Sequence, residues 1–113
     1  MITALSIAIL VSASATVMDA ETNRVTYNNC LVDFVTTHLD QKTGLSAFRK
    51  EAKEACPTER DALVAAIKKD ELEFGSNNQE ATDYAQEEAG NVLFAYIDSY
   101  SNYLNSNTRP VKE

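Results

Sequence analysis

Three side chains carry most of the capacity for chemistry in this 113-residue chain: Cys30, Cys56 and His38, the only cysteines and the only histidine. Two thiols can form a structural disulfide, act as a redox pair or supply half of a zinc site. A redox pair is disfavoured because no Cys-x-x-Cys occurs. A zinc site is disfavoured because it needs two further ligands where the chain has one histidine. A Cys30–Cys56 disulfide is the remaining reading. By the loop-entropy estimate, closing about 26 residues contributes roughly 3.5 kcal/mol, which is large against a marginal domain.

Any general-base role would have to run through His38. It falls on the same helix face as Leu31 and Phe34, where an imidazole is partly buried and bonded to a carbonyl or carboxylate. No G-x-S-x-G, H-E-x-x-H, P-loop or dinucleotide fingerprint accompanies it. A di-metal bundle site needs Glu-x-x-His on two helices, which one histidine rules out. The acids Asp70, Glu71 and Glu73, and the stripe Glu80, Asp83 and Glu87, lack the alternating ligands and central glycine of a calcium loop, so they read as solvated faces. Glu88 differs. It falls inside an apolar stripe and must find a partner or sit at the margin. No catalytic residue, cofactor or metal site is expected, and the chain reads as a non-enzyme; a small hydrolase or redox enzyme is the outlying alternative.

The elements that would position these residues follow from apolar spacing. Tyr27, Cys30, Leu31, Phe34, His38 and Leu39 recur at i, i+3, i+4, i+7, i+11 and i+12, predicting a helix over about 25–39. After the polar break at Asp40 to Gly44, a second helix carries Leu45, Phe48, Ala52, Ala55 and Cys56 on its apolar face, and Pro57 ends it. Two antiparallel helices stapled by the cysteines result. A third helix opens with Thr58 and Asp61 as a capping box and closes at Gly75, which takes a left-handed stop. Ser76 with Gln79, or Asn77 with Glu80, caps the longest helix, about 79–104.

On that last helix Ala81, Ala85, Glu88, Ala89, Val92, Tyr96, Ser99, Tyr100 and Tyr103 share a face, with Leu93, Ile97 and Leu104 widening it. The tyrosines read as core with hydroxyls at the rim, or as the lining of a small apolar pocket. Phe94 points away from that face, and Gly90 lies one turn before it. With Leu93 and Ile97 on the flank, the two suggest a second, narrower strip with a notch, as expected where another helix or subunit approaches. The organisation is thus an all-α, small four-helix domain at 25–104, with a flexible lead-in at 16–24 and a flexible tail at 105–113.

Residues 1–15 read as a signal peptide: Ile2 to Val11 is mostly apolar, and Ala13-Ser14-Ala15 supplies the small residues a signal peptidase requires. Its n-region has no Lys or Arg, which a true start further upstream would explain; an uncleaved anchor reaching Met18 is the competing reading. Export to a periplasmic or extracellular space suits a disulfide. The net charge of −7, from 17 acids against 10 bases, disfavours nucleic acid and anionic membrane as partners. Membrane contact is expected only through the signal segment if it is retained. The sequence therefore reads as an exported, non-enzymatic binding or interaction module, acting on a protein partner or on itself. A carrier or sensor of a small apolar ligand, held between helix four and the stapled pair, is the alternative.

Overall fold

The computed structural model describes residues 19–113; the signal-peptide reading of 1–15 and residues 16–18 of the lead-in lie outside the described residues. Four helices follow in order: α1 (Ala20–Asp40), α2 (Leu45–Ala52), α3 (Pro57–Glu73) and α4 (Asn78–Ser106), with no strand among the described residues. The three long helices pack on one another, and short α2 rests on α4.

α1 starts earlier than its apolar period, and most of the lead-in is helix. Asp19 is the N-cap, accepting from the Thr22 backbone N–H at 2.7 Å, while the Asn23 side chain donates to the Asp19 carbonyl at 2.9 Å. An aspartate at this position satisfies one of the free N–H groups and places negative charge at the positive end of the helix dipole. Propagating one more turn then costs little, so polar residues are carried into the helix.

α2 ends four residues before Cys56. Glu54 and Ala55 instead donate to carbonyls three residues back, and Cys56 turns left-handed with φ of 52°. Pro57 explains this: it disfavours helical geometry in the residue before it and occupies the first position of α3, where its missing N–H is not needed. Cys56, rather than a residue in a Thr58 capping box, is therefore the N-cap of α3, and its side chain makes no cap bond. The disulfide joins the middle of α1 to the α2–α3 corner. At the far end of α3, Gly75 takes φ of 98° as its position before Ser76-Asn77 requires, and Asn77 caps α4 by accepting from the Glu80 N–H at 2.9 Å.

The core is built from Tyr27, Leu31 and Val35 of α1, Phe48 and Ala52 of α2, Leu63 and Ala66 of α3, and Ala81, Ala85, Ala89, Leu93, Ile97 and Tyr100 of α4. Alanines along the first half of α4 let α3 approach it closely, because a methyl group keeps neither backbone away. No helix among the described residues is long and apolar enough to cross a membrane.

The tail is held, not frayed. Asn107 turns left-handed with φ of 53°, and the chain then runs back along α1. Arg109 pairs with Asp40, Lys112 with Asp33 at 3.0 Å, and Glu113 with Arg24 at 2.9 Å. Asn29 adds two bonds to the Glu113 backbone, accepting from its N–H at 2.9 Å and donating to its carbonyl at 3.2 Å. The match is geometric. Asp33 and Asp40 lie seven residues apart on one helix face, about 10 Å, and three extended residues from Arg109 to Lys112 span about the same distance.

Candidate functional site

The residues singled out by type and spacing serve mainly to hold the fold. Cys30 and Cys56 are bonded to each other. Together with Glu59 they bring three potential metal-ligand atoms close, but the disulfide uses both sulfurs. His38 is 7% exposed, and both ring nitrogens are engaged: Nδ1 with the Thr43 hydroxyl at 2.8 Å and Nε2 with the Glu51 carboxylate at 3.0 Å. Its ring also packs on Phe34 and Phe48. The imidazole thus ties the end of α1 to the following turn and to α2, and it lies among packed aromatics.

The tyrosines divide by depth. Tyr100 is fully buried and stacked on Phe48, and Tyr96 donates to the Asn28 side chain at 2.5 Å. Burial pushes both hydroxyls above the ordinary tyrosine range, offset in part by the hydrogen bonds that Tyr96 donates to Asn28 and Tyr100 to the Thr43 carbonyl.

The strip proposed on α4 is not one surface. Leu93 and Ile97 are core residues at 4% and 7% exposure, whereas Phe94 is 56% exposed. Gly90 is buried, and the ring of Phe94 lies beside it: a Cβ built on Gly90 would meet Cε2 of Phe94 at 3.7 Å, an ordinary contact distance.

A different place is open. Where the first turns of α1, the second half of α3 and the first half of α4 converge, they leave a cleft of about 290 Å³. Buried Leu63 and half-buried Ile67 and Val92 form its floor, and exposed Phe74 and Tyr84 stand beside it. Phe74 is left outside for a local reason. It is the C-cap of α3, and the left-handed Gly75 that follows reverses the chain before the ring can reach the core.

Carboxylates border the cleft: Glu21, Asp70, Glu71 and Glu88, with Arg24 the single cation among the lining residues. Arg24 donates to both Glu21 (2.8 and 3.0 Å) and Glu113 (2.9 and 3.0 Å), a pairing that raises its pKa well above the usual guanidinium range. The same hydrogen bonds hold the Glu21 and Glu113 carboxyls below the usual carboxylate range. Ser76 donates to Glu71 at 3.3 Å. Glu88 resolves its position in the apolar stripe by sitting half-buried at this margin.

No family model matches the chain, and comparison with curated proteins and with solved structures finds no match. The site must therefore be read from its own chemistry. It offers an apolar floor, two exposed aromatic rings and a carboxylate border. His38 lies 14 residues beyond Arg24 along α1, about 21 Å away, and contributes nothing to it. The sequence reading missed this cleft because Asp70 and Glu71 looked like a solvated helix end. The available signal was an aromatic placed directly before a stop glycine, where it cannot be core.

Proposed function

We propose that this protein is an exported, non-enzymatic binding module that receives part of a protein partner in the cleft between α1, α3 and α4. The observation that carries the reading is the pair of exposed aromatics, Phe74 at 87% and Tyr84 at 44%, beside a floor of buried aliphatic side chains. Exposed rings next to a concave apolar surface are what protein interfaces use as anchors. Size separates this from the carrier reading. At about 290 Å³ the cleft is at or below the lower bound for ligand pockets, and it suits one or two side chains better than an enclosed cargo. The space between α4 and the stapled region, where a carrier would hold its ligand, is occupied by the stacked rings of Phe48 and Tyr100. Export is supported by the disulfide, which persists in oxidising compartments.

The test is site-specific photocrosslinking in the extracytoplasmic fraction of the source cells. A photoreactive residue at position 84 is expected to give a discrete protein adduct that disappears with Phe74→Ser. The same residue at position 47, exposed on α2, is expected to give none. Identical patterns from the two positions, or no adduct from position 84, would exclude the cleft as the binding site.

A further inference from the structure

We infer that the cleft, taken as the binding site proposed above, selects a basic-apolar peptide segment: an apolar side chain flanked by Lys or Arg. The argument is one of charge complementarity around an apolar floor. The single guanidinium at the cleft, Arg24, is shared between Glu21 and Glu113 and has no charge to spare for an incoming group. Asp70 and Glu88 line the cleft half-buried, and neither has an ion-pair partner among the described residues. An apolar group entering the cleft removes water from those two carboxylates. Without a counter-charge, that desolvation opposes binding, and an acidic ligand adds repulsion to it. A Lys or Arg beside the apolar anchor reverses the sign of both effects. The exposed faces of Phe74 and Tyr84 also attract an ammonium or guanidinium through their ring quadrupoles. The net charge of −7 steers such a segment toward the protein from a distance.

The tail strengthens this selection. Glu113 reaches Arg24 only because the chain after α4 is strapped along α1, so the docked tail keeps the cleft border negative.

The chain has no tryptophan, so the fluorescence of a tryptophan in a probe peptide reports binding alone. Three blocked tetrapeptides of sequence Lys-Trp-Leu-Lys, Gln-Trp-Leu-Gln and Glu-Trp-Leu-Glu are titrated with the full chain, and amide chemical shifts locate the site. The expected order is basic tightest, then neutral, then acidic, with shifts at Ile67, Tyr84 and Val92. In Asp70→Asn/Glu88→Gln the basic peptide weakens by about fivefold and the neutral one does not, as removing two partly exposed charge pairs implies. Phe74→Ser weakens both. If the neutral peptide binds at the cleft as tightly as the basic one, and the double variant changes nothing, charge selection is wrong while the binding module stands. If no peptide shifts the cleft amides, the peptide inference is overturned, and crosslinking from position 84 decides separately whether the cleft binds a partner at all.

Discussion

The ring of Phe48 lies flat on the ring of Tyr100, with centroids 3.8 Å apart and planes 5° from parallel. This contact fixes α2 on α4, and the Tyr100 hydroxyl extends it by donating to the Thr43 carbonyl at 2.6 Å. One side chain of the longest helix thus holds both the short helix and the turn before it.

Phe48→Ala is expected to lower stability by about 3–5 kcal/mol, because α2 has no other large fully buried side chain. The two fully buried tyrosines should respond in opposite directions to loss of the hydroxyl. Tyr100→Phe strands the Thr43 carbonyl and should cost about 1–2 kcal/mol. The Tyr27 hydroxyl finds no hydrogen-bond partner among the described residues, so Tyr27→Phe should leave the thermal midpoint unchanged or raise it. Thermal unfolding of the two variants side by side checks the contrast.

The disulfide and the corner it anchors can be separated. Cys30→Ala is expected to lower the midpoint by well over the roughly 4–8 °C that about 1 kcal/mol moves a domain of this size. In that background Cys56→Gly should be more stable than Cys56→Ala by about 1 kcal/mol, since glycine adopts the left-handed φ of 52° without strain. If alanine equals glycine there, the corner keeps its geometry only while the bond is present.

Gly90→Ala is expected to stabilise the protein. The new methyl would meet only the Phe94 ring, at an ordinary contact distance of 3.7 Å, and a helix interior gains up to about 1 kcal/mol from alanine. A rise in midpoint checks this. The elution volume of Phe94→Ala in size exclusion should match that of the wild type, because the neighbours Leu93 and Ile97 are already buried within the chain.

Acid should release the tail. The Glu113 carboxyl is held below the usual carboxylate range by its hydrogen bonds from Arg24, so its contribution to docking is complete at neutral pH. It is lost as pH falls through that lowered value, not as pH rises. Exchange of the Glu113 amide, which donates to Asn29, should therefore stay slow at neutral pH, relative to an unstructured peptide, and approach the unstructured rate in strong acid. Arg24→Gln should speed it at neutral pH, and high salt should do the same by screening the exposed pairs.

Much of the fold was legible in the residues themselves. The helical spacing of Tyr27, Leu31 and Phe34 and of Phe48 and Ala52, the stop at Gly75, the Asn77 cap and the pairing of the only two cysteines are local or nearly local facts, governed by backbone geometry and by which faces are apolar. Pro57 marked a boundary, but its effect reached back to unwind Lys53 through Cys56, which periodicity alone does not register. Three features required the tertiary structure. Leu93 and Ile97, which a helical wheel leaves both at the edge of the core face and on the flank of a second strip, are buried because neighbouring helices cover that side of α4, and a wheel does not say where those neighbours lie. The tail docked because Asp33 and Asp40 happen to match the reach of Arg109 and Lys112 across a fold that first has to bring them together. The cleft exists because three helices converge without closing there, leaving Phe74, Tyr84 and their acidic neighbours around a space that none of the helices defines by itself.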